Sequence, residues 1–296
     1  MRTLALLLLL PLATVGRAAG SRADLSWVQS WAIQLQGAKI DELVASTYDV
    51  VVIDYSRDGG ASGEYTFNEI KRVRESGKVV LAYLSVGEAE NYRFYWKKGW
   101  KSGKPSFLGP ENPDWAGNFR AKYWLSGWWD LVLKPYLDRI MAAGFDGVFL
   151  DTVDSYWYWY EEGGQSLRTS ANRMCQLVGK IATYTRGATW DGFVLCANNG
   201  VGLLEDAAAT SANSYKAALD AADVESLFYD YWSEADQAYR LEMLRLFADA
   251  GKLLLNVEYI ERSGIASYEA LLATTEPALI GYPAYPDRLL DELYLP

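Results

Sequence analysis

Short apolar runs that stop abruptly at polar residues recur along the chain, and stretches of helical spacing separate them. Runs rich in Val, Ile, Leu and Phe between turn-forming residues predict buried strands. They fall at Ala32 to Leu35 after Trp31, Val50 to Ile53, Val79 to Leu84, Val148 to Leu150, Phe193 to Ala197, Asp223 to Leu227, Leu253 to Val257 and Ala278 to Gly281. Between them the helical period covers Ala38 to Val44, the stretch after Thr66, Trp129 to Ala143, Ser166 to Thr185, Glu234 to Ala250 and about Asp287 to Leu293. Thr66 and Glu69 have the spacing of a capping box, and Gly77 and Gly144 close the helices before them.

Eight strands alternating with helices predict α/β architecture, a single-domain (β/α)8 TIM barrel. A doubly wound open sheet is the alternative. Against it, no Gly-x-Gly-x-x-Gly follows the first strand, and polar residues stand at nearly every strand end rather than at one switch point. Asn91 to Tyr123 is rich in aromatics, Gly and Pro with little periodicity, which predicts a long loop over the barrel mouth.

The start of the chain reads differently. Arg2, the apolar run Leu4 to Ala13 and the small residues at Gly16 to Ala18 have the layout of a signal peptide over residues 1–18, leaving a barrel over 19–296. That layout predicts a secreted or periplasmic protein, with an uncleaved anchor as the alternative. No later run is long enough to predict a membrane span.

Composition narrows the chemistry. The chain has no histidine, so Ser-His-Asp triads, His-ligated zinc and His general bases are excluded. Proton transfer falls to carboxylates. A net charge of −10 argues against nucleic acid as a partner. The 12 Trp and 21 Tyr supply faces that can stack on sugar rings, although large aromatics are equally core residues. Cys175 and Cys196 either pair across a short loop or remain buried thiols. A carboxylate-held metal has no supporting run of alternating oxygen ligands, and no cofactor is expected. Lys78 and Lys252 sit at strand beginnings, the wrong end of a barrel for a Schiff base.

The predicted strand ends carry Asp54, Glu88, Asp151, Asp154, Asn198, Glu225 and Glu258, with Tyr55, Tyr83, Tyr229, Tyr259 and Tyr282 among them. In a barrel these converge on one face, where crowded carboxylates hold at least one proton near neutral pH. A protonated acid facing an ionised carboxylate is what glycoside hydrolysis requires. Each residue also has a bland reading. Asp151 could be a cap, but Asp154 and five successive aromatics, Tyr156 to Tyr160, follow it. Glu225, inside its predicted strand, could point outward. Asp54 and Glu258 suit ligand positioning, and Glu88 and Glu90 could merely anchor the loop.

The motifs Ser85-x-Gly87-x-x-Glu90-x-x-Arg93, Gly144-Phe-Asp146-Gly147-Val-x-x-Asp151-x-x-Asp154 and Glu225-Ser-Leu-Phe resemble glycoside hydrolase family 114, the endo-α-1,4-polygalactosaminidases, and chiefly its prokaryotic branch. The resemblance implies a barrel cleaving α-1,4-linked galactosamine polymers, with Asp151 and Glu225 as the catalytic pair. By analogy with other α-glycosidase barrels, Asp151 is the nucleophile and Glu225 the general acid and base of a retaining enzyme. Asp54, Tyr55, Tyr83, Glu88, Arg93, Asp154, Asn198, Tyr229, Glu258 and Tyr282 are expected at the substrate, a polysaccharide that is cationic where deacetylated. Many relatives have Asn where this chain has Thr152. The competing expectation is a catalytically silent barrel that binds polysaccharide for an exopolysaccharide or envelope system.

Overall fold

The structure, a computed structural model, describes residues 23–189, 192–229, 233–285, 290 and 293. The expected signal peptide, Tyr231 and Trp232, and most of the helix expected near Asp287 to Leu293 lie outside the described residues.

Eleven strands follow in chain order: β1 (Trp31–Gln34), β2 (Val50–Ile53), β3 (Val79–Ser85), β4 (Glu88–Glu90), β5 (Leu108–Glu111), β6 (Asn118–Ala121), β7 (Gly147–Asp151), β8 (Val194–Asn198), β9 (Ala221–Glu225), β10 (Leu253–Tyr259) and β11 (Ile280–Ala284). Eight of them form one sheet in the order β1-β2-β3-β7-β8-β9-β10-β11, each strand parallel to its neighbours in that order. Sequential parallel strands joined by helices curl the sheet into a nearly closed (β/α)8 barrel. Trp31 crosses the seam, donating from its indole nitrogen to the Ile280 carbonyl at 2.8 Å. Strands covered on both faces need no alternation, so β2 is Val-Val-Val-Ile and wholly buried.

Two barrel strands depart from expectation. β9 begins two residues early at Ala221 and ends at Glu225, which therefore stands at the strand's carboxyl end rather than inside it. Ala221 and Ala222 have weak strand propensity, and Asp223 interrupts the apolar run. β11 begins at Ile280, later than expected, and contains Pro283. Proline is tolerated there because β10 is its ladder partner on one side and the seam lies on the other.

The expected long loop is more ordered than its composition suggested. Within it β5 and β6 pair antiparallel, and β6 pairs with β4, giving a small three-stranded sheet beside the carboxyl end of β3. Short strands with Gly109, Pro110 and a register shift between Leu108 and Glu111 hide any period of two. The capping box of Thr66 and Glu69 is present, and Gly144 ends its helix at φ 85°. Cys175 and Cys196 are both buried free thiols.

Candidate active site

Asp151, Asn198 and Glu225 are the last residues of β7, β8 and β9, three adjacent barrel strands. Each is followed by a non-glycine residue in the left-handed region: Thr152 at φ 58°, Asn199 at φ 55° and Ser226 at φ 49°. Such residues cost on the order of 1–3 kcal/mol each and persist only where their surroundings hold them. Here the holders are visible. Thr152 Oγ1 accepts from the Gly87 N–H at 2.8 Å and lies 2.9 Å from Ser85 Oγ. Asn199 Oδ1 accepts from the Glu225 N–H at 3.0 Å, and Arg240 donates to the carbonyls of Glu225 and Ser226 and to Asn199. Asn favours the left-handed region where a β-branched residue does not, so Thr152 depends on these contacts more than an Asn would.

The turn at Gly87 admits no side chain. A Cβ there would meet Ser155 Oγ at 2.1 Å and the Thr152 carbonyl at 2.4 Å. Gly87→Ala is expected to destabilise the protein by about 2 kcal/mol, as overpacking does, and thermal melting beside the parent checks it.

At the centre, the Asn198 side-chain nitrogen donates to Asp151 Oδ1 at 3.2 Å and to Glu225 Oε1. One amide thus spans both carboxylates. Tyr83 donates to the other Asp151 oxygen at 2.6 Å, and Tyr259 to the other Glu225 oxygen at 3.2 Å. Burial pushes both carboxyls above their ordinary range. The Tyr83 hydroxyl, the Thr152 N–H and Asn198 pull Asp151 back toward the anion, and the charge of Asp151 pushes Glu225 further up while Asn198, Tyr259 and Arg240 oppose that rise. While Asp151 is ionised, its charge favours a proton on Glu225.

Asp154, three residues past β7, has a side chain open to solvent but walled by protein on its remaining sides. Loss of hydration, then the charges of Asp151 and Glu225, push it up to about 7; its contact with water tempers that shift. Of the five aromatics beginning at Tyr156, Tyr156 and Trp159 belong to the core, while Trp157 and Tyr160 are exposed with ring centroids 5.6 Å apart.

The other expected residues divide by place. Glu88 is buried on β4, paired with Arg120 and accepting from Asn112 at 2.9 Å. Burial raises its pKa while Arg120 opposes the rise. Arg93 is buried and bonds Asp54 through both carboxylate oxygens at 2.8 and 2.7 Å, and Glu90 at 2.7 Å, tying the small sheet to the end of β2. Burial pushes Asp54 up to about 6 in spite of Arg93. Tyr55 packs edge-on against Tyr136, 4.7 Å between centroids. Glu258 accepts the Leu227, Phe228 and Tyr229 N–H groups at 2.6, 2.8 and 3.3 Å, so it shapes the loop that follows β9. Tyr229 is half-buried on that loop, and Tyr282 is enclosed between Trp31 and Tyr48. The structure thus gathers Tyr83, Asp151, Asp154, Asn198 and Glu225 at one mouth and places Tyr55, Glu258 and Tyr282 in its supporting walls.

Sequence reasoning did not single out Arg240 or Arg120. Arg240 lies on the helix Glu234–Ala248, whose weak amphipathic pattern hides which residues face inward. For Arg120 the signal was available, since alternation in Asn118–Ala121 puts Arg120 on one face opposite Glu88. Among the described residues no group of three or more Cys, Asp or Glu is arranged to hold a metal ion.

A parallel eight-stranded barrel with facing carboxylates at the ends of its fourth and sixth barrel strands has the architecture of a barrel glycosidase. The chain belongs to glycoside-hydrolase family GH114, whose family model matches residues 14–278. It is similar to uncharacterised proteins of Methanocaldococcus jannaschii, 38% identical over 89% of this chain and 77% of that protein, and of Thermotoga maritima, 39% identical over 89% and 83%. Among solved structures it is similar in fold to the glycoside hydrolase domain of PelA from Pseudomonas aeruginosa, with a TM-score of 0.66, 17% identity, and coverage of 90% of this chain and 97% of that one. Aspergillus fumigatus Ega3 in complex with galactosamine gives a TM-score of 0.64 and 17% identity over 94% and 100%. No described helix is long and apolar enough to cross a membrane.

Proposed function

We propose that this protein is an exported, endo-acting retaining glycosidase of α-1,4-linked galactosamine-type polysaccharide, with Asp151 as nucleophile and Glu225 as general acid and base. The observation that carries the reading is the shared donor. Because one Asn198 nitrogen bonds both carboxylates, their nearest oxygens lie within two hydrogen-bond lengths, about 6 Å at most. That favours the roughly 5–5.5 Å spacing of retaining enzymes over the wider gap that seats a water in inverting ones. Asp151 attacks the anomeric carbon as Glu225 protonates the departing oxygen. Glu225, then ionised, takes a proton from water, and that water releases the sugar from Asp151.

Three features support an amino-sugar polymer. The mouth is acidic, with Asp154 beside the pair, and the chain carries −10 overall. Trp157 and Tyr160 offer exposed rings for stacking next to Asp154. The Ega3 structure, similar in fold, was solved with galactosamine. Export is supported by the layout of residues 1–18.

The test is reducing-end release from a partially deacetylated α-1,4-galactosamine polymer, with the anomer of the first product read by NMR. Cleavage with an α product supports the reading. Binding without cleavage favours the silent sugar-binding barrel, and a β product refutes retention.

Asp154 adds a pH prediction. Asp154 and Glu225 repel when both are ionised, so an ionised Asp154 favours the protonated form of Glu225. Asp154→Asn removes that charge, so the alkaline limb of kcat/KM is expected to move to lower pH; pH-rate profiles of parent and variant check the sign.

A further inference from the structure

On the strand beside Asn198, level with it, stands a carboxyl that the mechanism above does not use. Asp223 stands mid-strand on β9, is 0% exposed, and neither of its oxygens has a hydrogen-bond partner. The Val224 N–H is near enough to favour the anion slightly but is not aligned as a hydrogen bond. Among the described residues no cation pairs with it. Arg240 is the cation whose field reaches it, and that guanidinium is committed to the carbonyls of Glu225 and Ser226 and to Asn199. The carboxylates of Glu225 and Asp151 also reach Asp223 and oppose its ionisation. An unpaired buried carboxylate is strongly disfavoured, so the group holds its proton, as the strong upward push of burial also indicates.

A second orphan stands on the neighbouring strand. Asn198 is 1% exposed, and while its nitrogen serves Asp151 and Glu225, its Oδ1 has no hydrogen-bond partner. Asn198 and Asp223 are registered partners in the parallel pair β8 and β9, so their side chains project to the same face of the sheet. Glu225, two residues on from Asp223, projects to that face as well. With its nitrogen held by Asp151 and Glu225, the amide turns its oxygen away from that pair, and Asp223 is its registered neighbour on the same face. A buried acceptor without a donor and a buried acid without an acceptor answer one another.

We propose that Asp223 is a positioning residue: its carboxyl O–H donates to Asn198 Oδ1, directly or through one buried water, and so fixes the amide with its nitrogen toward Asp151 and Glu225. Without that donor nothing on the interior side distinguishes the two ends of the amide, and a flipped Asn198 would set an oxygen against two carboxylates. The role rests on the proposed catalytic pairing of Asp151 with Glu225, whereas the hydrogen bond itself does not.

Two substitutions separate the possibilities. Asp223→Leu keeps the branched shape and removes the donor, whereas Asp223→Asn keeps a donor. On a cleavable polymer the Leu variant is expected to lose about ten- to a hundredfold in kcat, as small misplacement of reacting groups does, with KM little changed. Its acidic limb should move to higher pH, because Asp151 loses the Asn198 hydrogen bond that favours its anion. The Asn variant is expected to recover most of the rate.

A stability cycle needs no substrate. The change in melting temperature produced by Asp223→Leu should differ by about 2 °C or more between the parent and an Asn198→Ala background, as for residues in contact. If the parent cleaves nothing, the glycosidase reading fails and the cycle still decides the link. Additive melting shifts overturn the proposal, as does a folded Leu variant with parental kcat or an Asn variant as impaired as Leu.

Discussion

Asp151→Asn is expected to lower kcat by about a thousandfold or more with little change in melting temperature, since removing a group that acts only in the chemical step lowers kcat and kcat/KM together. The replacement is isosteric. Its oxygen can still accept from Asn198, and the Tyr83 hydroxyl can turn to accept from the new amide nitrogen, so the mouth keeps its shape. What is lost is the anion, because a neutral amide cannot open the glycosidic bond and hold the sugar as an ester. The smaller Asp151→Ala leaves room for azide, which should restore turnover and give a glycosyl azide of inverted configuration. Rate measurements with product NMR check both outcomes, and a parental rate in the Asn variant would remove Asp151 from the chemistry.

In kcat/KM, Glu225→Gln is expected to show a loss of similar size on the polymer and a much smaller one on an aryl glycoside with an acidic phenol, whose kcat is limited by slow hydrolysis of the intermediate. The difference follows from the role. A sugar alkoxide is a poor leaving group that needs a proton as it departs, whereas a nitrophenolate does not. Glutamine keeps the hydrogen bond from Asn198 and can still meet Tyr259, so substrate affinity should change little. Comparing kcat/KM on the two substrates, which reports the glycosylation step, tests the assignment. Equal losses on both would make Glu225 a structural or binding group.

The frame of this fold was legible because a parallel sheet covered on both faces writes itself as bare apolar runs, and Val50–Ile53 and Val79–Ser85 are such runs. The capping box at Thr66 was equally plain, being a purely local motif. β9 was misplaced for the opposite reason. Its interior holds a polar residue, Asp223, whose place is set by neighbouring strands rather than by local pattern. The shift hid the most useful fact about Glu225, that it ends its strand level with the mouth.

At the site, residue types pointed to Asp151, Asp154, Asn198 and Glu225 but could not say which partner each would meet. The bridging role of Asn198 depends on the parallel register of β7, β8 and β9, and register is a long-range property. The same holds for the three left-handed residues behind the site, of which only Asn199 is a type favoured there. Of the aromatic run after Asp154, alternation between core and solvent follows from the helix Tyr156–Glu161, which gives Trp157 and Tyr160 to the surface and the buried members to packing.

The most direct measurement is to trap the sugar on the enzyme. Glu225→Gln, given a 5-fluoro glycosyl fluoride of the amino sugar, should form its covalent intermediate readily and hydrolyse it slowly, because the fluoride leaves without an acid while the attacking water lacks its base. Intact mass is expected to rise by one glycosyl unit, and peptide mapping to place the adduct on Asp151. An adduct on another residue, or fluoride release at parental rates with no adduct at any time, would contradict the account.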